Sequence, residues 1–559
     1  MKRLVVFILI LTLVSLSCQT VYNLANPGTA LPPTSSPVLE ETPGATFVPT
    51  TAESSSDTIA DIREKLNELG GRPCQASAEF ICVSIKVPLD HFDSANTETI
   101  DVDFAVSPAR GERKGMYVQA FPGGPGGEGI SYASTYYFPD SVLDRYDIVF
   151  FDQRGVGLSN PLECKNAYAK YFLQYLNEND TTGQEGYDTP QEQQAAMQQA
   201  QTFVNDCIAE IGIDPAKLRF FDTAQVAEDI ESFRQAIGDD KFMLYGVSYG
   251  TSVAEAYARA HPDHLSGLIL DGTQNTTQTG DQTAFSQWEA FNMVLNEVFK
   301  ACDADRECSS EIGIDAQAAY DELAQKLADA PLTYDYPLSN GKKIKQTFTE
   351  HMLDFTVSYQ LYGLDSRREL MRALAAAHKG DMVPMTQLFY SVSNIDPATG
   401  EYVGDPNFSD TMYYVVWCGD DAYYSGTSQE RSAKLMQEGQ KLNGIEPPLD
   451  LDVLPLGLTC AYWPQAPTSP ANLEPLKAPG VPTFVLNATL DPATPFHEGK
   501  SVFEHLENGY HLYVNGGGHG SYGWGHSCPD QYVEDFLVNG TLPDQREIVC
   551  DWGDAVIGQ

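Results

Sequence analysis

Residues 241–250, KFMLYGVSYG, constrain the fold of this chain more than any other stretch. The apolar run 242–245 is typical of a buried strand, and the small side chains of 251–260 predict a helix that ends near His261. Between them lies G-x-S-x-G, a pattern typical of a sharp strand-to-helix turn that exposes its serine. The flanking glycines are needed because a Cβ at either position would clash as the chain doubles back. Ser248 is therefore the candidate nucleophile.

Strands and helices alternate around this turn, which predicts an α/β protein with a mostly parallel sheet covered on both faces. A helix is predicted over 222–238, with Asp222 as its N-cap and Gln225 completing a capping box. A short helix at 59–69 and an antiparallel pair at 80–87 and 100–106 should precede the alternating part. The predicted strands that follow are 116–121, 147–151, 242–245, 268–271, 481–486 and 510–514, of which 481–486 and 510–514 are expected to be the last.

The rhythm stops between Gly272 and about Pro406. This interval has no strong strand pattern, and its apolar periodicity predicts helices at 285–302, 316–327 and 350–377. It is interpreted as a helical lid inserted over the carboxyl-terminal edge of the sheet. The YYVVW run at 413–417 is interpreted as the return of the chain to the core.

The first residues have the pattern of an export signal. Lys2 and Arg3 precede about 13 mostly apolar residues, a run too short to span a bilayer. Ser17-Cys18 resembles a bacterial lipoprotein cleavage site, so Cys18 is a candidate for lipidation, with plain secretion as the alternative. The predicted division is a signal peptide at 1–18, a disordered Pro/Ser/Thr-rich tether at 19–57, a first core part at 58–272, a lid at 273–410 and a second core part at 411–559.

Charge and cysteine content narrow the possible partners. With 34 basic and 77 acidic residues the net charge is −43, which argues against nucleic acid or anionic lipid as a partner. Eleven cysteines leave ten after Cys18, an even set that suggests disulfides in an exported protein. We predict that sequence neighbours pair: 74–82, 164–207, 302–308, 418–460 and 528–550. The chain has no CxxC pair or HExxH motif, so neither a metal nor a cofactor is predicted.

A serine nucleophile needs a base, and the base needs an acid to orient it. In this architecture the chain order is Ser, then Asp or Glu, then His, each on a loop just past a strand end. Asp491 in NATLDPATP and His519 in NGGGHGS satisfy both conditions. His526, His497 and Asp271 are the alternatives, and Asp271 also ends a predicted strand.

An oxyanion hole on such a turn uses the backbone N–H of the residue after the nucleophile, here Tyr249, and a second N–H from a loop after an early strand. The loop 122–127, PGGPGG, follows such a strand, and its glycines allow close backbone approach to a ligand. Gly124 is the first choice for the second donor and Gly123 the next.

Five motifs together resemble one family: PGGPG at 122–126, DQRGVGLS at 152–159, GVSYG at 246–250, LDPATP at 490–495 and GGGHG at 516–520. They are similar to the α/β-hydrolase peptidases of the proline iminopeptidase and tripeptidyl aminopeptidase family. The end of the chain resembles the region that closes the secreted tripeptidyl aminopeptidases, with CAYWP at 460–464, Cys528, NGTLP at 539–543 and Cys550. Proline iminopeptidases begin the first motif with His where this chain has Pro122, which favours the tripeptidyl branch.

The resemblance implies an α/β-hydrolase fold and a serine exopeptidase that removes one to three residues from a peptide with a free N-terminus. Such an enzyme must hold the terminal ammonium with carboxylates, for which Asp281 and Glu289 in the lid are candidates. Asp152 and Arg154 are interpreted as structural residues that tie loops together.

Two alternatives stay open. A carboxylesterase or lipase can be built on the same fold, since a fold does not determine a function. A non-catalytic surface binding protein is the second. The expected partners are peptides with a free N-terminus, with no nucleic acid, and with membrane contact only through the lipid on Cys18. Oligomeric state, the number of residues released and the side-chain preference are left undetermined.

Overall fold

The computed structural model describes residues 58–120, 123–177, 189–420, 426–439, 449, 453–464, 474–551 and 556–558. The predicted signal peptide, the candidate lipidation site Cys18, the tether and Pro122 lie outside these residues.

A ten-stranded sheet forms the centre of the molecule, in the order β1-β2-β3-β5-β4-β6-β7-β10-β11-β12. The strands are β1 Arg72–Pro73, β2 Ile81–Pro88, β3 Thr99–Ser107, β4 Gly115–Ala120, β5 Tyr146–Phe151, β6 Phe242–Val247, β7 Leu265–Asp271, β10 Thr483–Ala488, β11 Gly509–Asn515 and β12 Glu547–Asp551. The first strands, through the β3–β5 contact, pair antiparallel, and every pair from β5 to β12 is parallel. The antiparallel opening and the parallel core were both predicted, and both are confirmed.

The central strands are covered on both faces. All six residues of β4, β5, β6 and β10 are buried, as expected for parallel strands between two layers of helices. Successive side chains of β6 alternate between two apolar clusters, Phe242 and Leu244 in one and Met243 and Tyr245 in the other. The turn that carries Ser248 therefore begins at the end of a fully enclosed strand.

The α-helices of the described residues occur before, between and after these strands. They are α1 Thr58–Glu68, α2 Gly129–Tyr132, α3 Asp140–Leu143, α4 Lys165–Asn177, α5 Pro190–Ile211, α6 Thr223–Ile237, α7 Tyr249–Ala260, α8 Gly280–Ala304, α9 Arg306–Ile312, α10 Ala316–Asp329, α11 Glu350–Gln360, α12 Leu364–His378, α13 Val383–Val392, α14 Asp410–Asp420, α15 Ser428–Gly439, α16 Val453–Tyr462, α17 Phe496–His505 and α18 Ser527–Asn539. Short 3₁₀ helices lie at Pro215–Phe220 and Pro262–His264. Asp222 caps α6 as predicted, its side chain accepting a hydrogen bond from the Gln225 amide.

Helices α8 to α13 pack around a separate apolar cluster, which includes Phe291, Leu353 and Phe389 and also Phe172 and Leu176 of helix α4. We call residues 273–410 the cap segment. It also contains a two-stranded antiparallel hairpin, β8 Leu332–Pro337 with β9 Lys343–Phe348, where no strand was predicted. The hairpin was missed because its residues are mostly half-exposed and polar, so its apolar alternation is weak.

The YYVVW run returns the chain to the core, as predicted, and does so as part of helix α14, with Val415 and Val416 buried. Two further expectations were wrong in detail. The single helix expected at 350–377 is two, α11 and α12, separated by a turn at 361–363. The sheet also gains β12 beyond the two strands expected to be last.

All five predicted disulfides are confirmed, joining Cys74 to Cys82, Cys164 to Cys207, Cys302 to Cys308, Cys418 to Cys460 and Cys528 to Cys550. Such bonds persist in oxidising compartments, which indicates an exported protein. Within the described part of the chain, every helix is too short or too polar to cross a membrane.

Candidate active site

Ser248 lies in the turn between β6 and α7 with a left-handed backbone, φ 56° and ψ −131°. A Cβ at Gly246 would lie 2.3 Å from the Gly250 carbonyl oxygen, and one at Gly250 would lie 1.8 Å from the carbonyl oxygen of Ala120. Neither position admits a side chain, which is the steric requirement that the motif predicted. The Ser248 amide donates to the Asp271 carbonyl at 3.0 Å, so the neighbouring strand end helps to hold the turn.

Asp491 and His519 are in contact, as their order and loop positions predicted. The Nδ1 atom of His519 lies 3.0 Å from each carboxylate oxygen of Asp491. The Asp491 carboxylate is 1% exposed and accepts hydrogen bonds from the Ala493 and Thr494 amides, both at 2.9 Å. Donation from Nδ1 to Asp491 leaves the lone pair on Nε2, the tautomer that a general base needs.

Electrostatics favour the protonated form of this imidazole. Burial lowers the pKa of His519, but the charge and hydrogen bonding of Asp491, together with the charge of Asp271, outweigh it and raise the pKa above its ordinary value. An imidazolium formed during a reaction is thus stabilised by two carboxylates.

Ser248, His519, Gly123 and Gly124 line one cavity of about 400 Å³. The amide of Tyr249 is the first of helix α7, at the positive end of the helix dipole. The side chain of Tyr249 is buried elsewhere, its hydroxyl 2.7 Å from Thr223 Oγ1, so only its backbone is a candidate for the site.

The glycine loop at 123–127 is held against the end of the cap segment. Gly127 forms an antiparallel bridge with Phe408, and the Ser409 amide donates to the Gly126 carbonyl at 2.8 Å. Gly124 has φ 114°, and a Cβ there would lie 2.7 Å from the Phe408 ring. The close approach of these two segments therefore requires a glycine at 124.

The alternative residues have other contacts. Asp271 is fully buried and accepts hydrogen bonds at 2.8 Å from the Ser521 and Tyr522 amides, which anchors the loop that carries His519. Burial raises the pKa of Asp271 to about 6. His526 caps helix α18, and His497 lies 3.0 Å from Ser286 Oγ. Neither histidine is among the residues that line the cavity.

The acids that line the cavity are not the ones that the sequence suggested for binding an ammonium group. Glu289 is exposed, and neither it nor Asp281 lines the cavity. Asp405 and Asp410 do line it. Burial, followed by the charges of Asp405 and Glu163, raises the pKa of Asp410 to about 7 against the effect of a Tyr168 hydrogen bond. Sequence reasoning missed this pair because 405–410 is a loop and helix start without a motif.

Thr494 is a second residue that the sequence analysis did not single out. Its hydroxyl donates to Asp491 Oδ2 at 2.6 Å and lies 3.2 Å from His519 Nδ1. Thr494 is part of the LDPATP motif. The motif alone, however, does not distinguish a hydroxyl that contacts Asp491 and His519 from one that caps a turn.

Asp152 and Arg154 have the structural role predicted for them. The Arg154 guanidinium is fully buried, pairs with Asp229 at 2.6 and 2.8 Å and donates to the Leu89 and Phe220 carbonyls. Asp152 accepts hydrogen bonds from the Ile130 and Leu158 amides, both at 2.9 Å.

Glu231, His261 and His264 form a cluster of metal-ligand type away from the cavity. However, both oxygens of Glu231 already accept hydrogen bonds from the Arg234 guanidinium, at 2.8 and 2.6 Å, and Oε2 also accepts from Tyr257 at 2.8 Å. The Glu231 carboxylate is therefore already paired with the Arg234 guanidinium.

Comparison with known proteins finds two family models that match parts of the chain. Residues 120–343 match the model of the alpha/beta hydrolase fold, and residues 452–550 match that of the TAP-like protein family. The chain is 29% identical to Serine protease Hip1 of Mycobacterium tuberculosis, over 83% of this chain and 86% of the relative. It is 24% identical to Tripeptidyl aminopeptidase of Streptomyces lividans, over 84% and 83% respectively.

A third relative, Carboxylesterase B of Mycobacterium tuberculosis, is 27% identical over 83% of this chain and 85% of its own. The TAP-like match covers the same carboxyl-terminal motifs from which the resemblance was stated. The chain thus contains an alpha/beta hydrolase region and a carboxyl-terminal TAP-like region, which agrees with the resemblance of its sequence motifs.

Proposed function

We propose that this protein is a serine exopeptidase that releases one to three residues from peptides with a free N-terminus. Ser248 is the nucleophile, His519 the general base and acid, and Asp491 the residue that orients His519. The Tyr249 and Gly124 amides form the oxyanion hole. The observation that carries the proposal is the 3.0 Å contact of His519 Nδ1 with Asp491, in a cavity lined by both His519 and Ser248.

The proposed reaction follows from these positions. His519 takes the proton of Ser248 as the hydroxyl oxygen attacks the carbonyl carbon of the scissile bond. Developing negative charge on the carbonyl oxygen is stabilised by the two backbone amides and by the dipole of α7. His519 then protonates the leaving amine, and water activated by the same imidazole hydrolyses the acyl-enzyme.

Acidic groups in the cavity support recognition of an N-terminal ammonium. Asp405 and Asp410 repel one another, and burial raises the pKa of both. A bound ammonium would relieve this repulsion and replace the lost hydration of the carboxylates. The rings of Tyr168, Tyr359 and Tyr402 line the same cavity and offer faces to a cation.

These acids flank the segment that holds the oxyanion loop. Asn407 accepts a hydrogen bond from the Glu128 amide at 2.9 Å, and Phe408 bridges to Gly127. An ammonium bound by Asp405 and Asp410 would therefore restrain the backbone that positions Gly124. In this arrangement a free N-terminus improves turnover as well as binding, because it orders the donors that act in the transition state.

An ester hydrolase on the same fold is the second candidate, and one relative is named a carboxylesterase. The aromatic lining of the cavity would suit an apolar ester. The two half-buried acids favour the peptidase, because a pocket for a neutral ester has no use for carboxylates whose partial burial is costly.

A comparison of free and N-acetylated tripeptide amides tests the proposal. We expect efficient cleavage of the free peptides, with products of one to three residues identified by mass spectrometry, and at least about 100-fold lower kcat/KM after acetylation. Ser248→Ala should abolish cleavage and labelling by a fluorophosphonate probe.

Equal cleavage of both substrate forms, with faster hydrolysis of simple esters, would replace the peptidase by an esterase. A wild-type protein that cleaves neither and is not labelled by the probe would be a non-catalytic binding protein.

We also propose that the exported enzyme is held at the cell envelope by a lipid on Cys18, through the 19–57 tether. Mass spectrometry of the native N-terminus tests this: a diacylglyceryl group on Cys18 is expected, and a free, unmodified N-terminus in the culture medium would indicate plain secretion instead.

A further inference from the structure

A fully buried arginine from the cap segment connects the two loops that carry Asp491 and His519. Arg367 on α12 is 0% exposed. Within the described residues it forms no ion pair, and its hydrogen bonds all go to backbone carbonyls. Nε donates to Leu361 at 2.9 Å, Nη1 to Gly517 at 2.7 Å and to Val556 at 3.1 Å, and Nη2 to Leu490 at 2.7 Å.

The positions of two of these acceptors matter most. Leu490 immediately precedes Asp491, and Gly517 lies two residues before His519. One planar guanidinium thus holds both loops, and its donors diverge at fixed angles that a flexible ammonium does not reproduce. The separation of the two carbonyls is therefore set by a rigid group.

The turn before α12 contacts His519 directly. The His519 amide donates to the Tyr362 carbonyl at 2.9 Å, and the Tyr362 ring stands nearly perpendicular to the imidazole, 5.2 Å between ring centroids. A Cβ at Gly518 would lie 2.3 Å from the Tyr362 carbonyl oxygen. The glycine-rich loop is therefore pressed against the cap as well as against the sheet.

Burial of the Arg367 charge is energetically unfavourable, so a role for the guanidinium in holding the two loops would explain why a charged residue stands at this position. Removing a cation from water costs several kcal/mol unless a partner compensates. Burial lowers the pKa of Arg367 to about 10, although the charge of Asp491 opposes this. Arg367 therefore remains charged at neutral pH, and its field acts on the carboxylate that orients His519.

We propose that Arg367 is a positioning residue, which sets the geometry of Asp491 relative to His519 and makes the turn at 361–363, before helix α12, a fixed part of the catalytic apparatus. This inference rests on the proposed triad. It implies that any opening of the cap to admit substrate leaves this turn in place.

The test replaces Arg367 by Lys, which keeps the positive charge but lacks the planar guanidinium, and by Met, which lacks both. We expect kcat to fall about 100-fold or more with KM changed less than about threefold, because small misplacements of reacting groups cost about this much. The rate of fluorophosphonate labelling of Ser248 should fall by a similar factor, since the probe reports the triad without peptide recognition. The apparent pKa read from the acid limb of the pH profile of kcat/KM should also change, because that limb reports the protonation of His519.

Arg368 provides the matched control. It is also buried, but donates to the Gly558 carbonyl at 2.9 Å and pairs with Asp305 at 3.0 Å, and contacts neither loop. Arg368→Lys should lower the melting temperature with kcat and the pH profile unchanged.

Folded Arg367 variants with wild-type kcat and labelling would overturn the inference, whereas an inactive wild type would overturn the proposed function itself. If both variants fail to fold, hydrogen exchange of the wild type decides. We expect the His519 amide to exchange as slowly as the amides of the core strands, and exchange within seconds would overturn the fixed turn.

Discussion

The carboxylates on the two sides of the cavity have different surroundings. On the sheet side, Asp491 and Asp271 are surrounded by donors: backbone amides, a hydroxyl and His519. On the cap side, Asp405 and Asp410 line the cavity among tyrosine rings, and burial raises the pKa of both, as it also does for Asp271 on the sheet side. In the proposed function, the donors on the sheet side preorganise Asp491 and His519 for the reaction, and the acids on the cap side bind the ammonium group of the substrate.

The largest effect that separates the walls should come from Asp491→Asn. Loss of the acceptor for Nδ1 favours the wrong imidazole tautomer, and we expect kcat to fall about 10³–10⁴-fold with little change in KM. Asp271→Asn is the matched variant, because Asp271 holds the same loop through backbone amides and also lies near His519. An equal or larger loss of kcat in Asp271→Asn would transfer the role of orienting acid to Asp271.

Thr494→Val tests how far preorganisation of the sheet wall matters. The variant keeps the shape of the side chain and removes the hydroxyl that donates to Asp491 at 2.6 Å. We expect about a 10–100-fold loss in kcat from the loosened Asp491–His519 pair. Thr494→Ser, which restores the hydroxyl, should recover most of it, and no recovery would assign the loss to packing.

Asp410→Asn should weaken binding of the N-terminal ammonium, and with it the ordering of the oxyanion loop that a bound ammonium provides, while the Ser248, His519 and Asp491 side chains stay as they are. For peptides with a free N-terminus we expect KM to rise about tenfold or more, while fluorophosphonate labelling of Ser248 stays near wild type. In the wild type, KM should rise as the pH falls through about 7, because the protonated carboxyl no longer attracts an ammonium. Asp281→Asn is the control, since Asp281 does not line the cavity, and an equal change there would contradict the assignment.

The smallest expected effect is on stability. The pKa of Asp410 is about 7 in the folded protein, above its ordinary value of 3.8. The folded state therefore holds this proton more tightly than the unfolded state, and the stabilisation present at low pH is lost as the pH rises towards 7. Asp410→Asn should be more stable than wild type at pH 8 by about 2 kcal/mol, with the advantage vanishing below pH 4. Urea unfolding at both pH values measures this difference in stability. A variant that is less stable than wild type at pH 8 would contradict the raised pKa of Asp410 in the folded protein.

The sequence by itself determined most of the sheet wall, because local sterics and strand-end positions are written in short motifs. A Cβ at Gly246 is excluded by the Gly250 carbonyl within the same turn, whereas a Cβ at Gly250 is excluded by the Ala120 carbonyl of the neighbouring strand β4. The placement of Asp491 and His519 followed from loops past strand ends, since parallel strands bring such loops to one edge. Pairing each cysteine with the next one along the chain gave all five disulfides, although two of them join residues 43 and 42 positions apart.

Only the tertiary structure decided the cap wall. Asp405 and Asp410 sit in a segment with no periodic signal, and they acquire their raised pKa values from burial that the whole fold produces. The YYVVW run became a helix because its surroundings are apolar on most sides, which no window of sequence reveals. Arg367 reaches carbonyls 123 and 150 residues away in the chain. Contacts of that separation depend on the packing of the cap on the sheet, and a backbone carbonyl leaves no trace in a sequence.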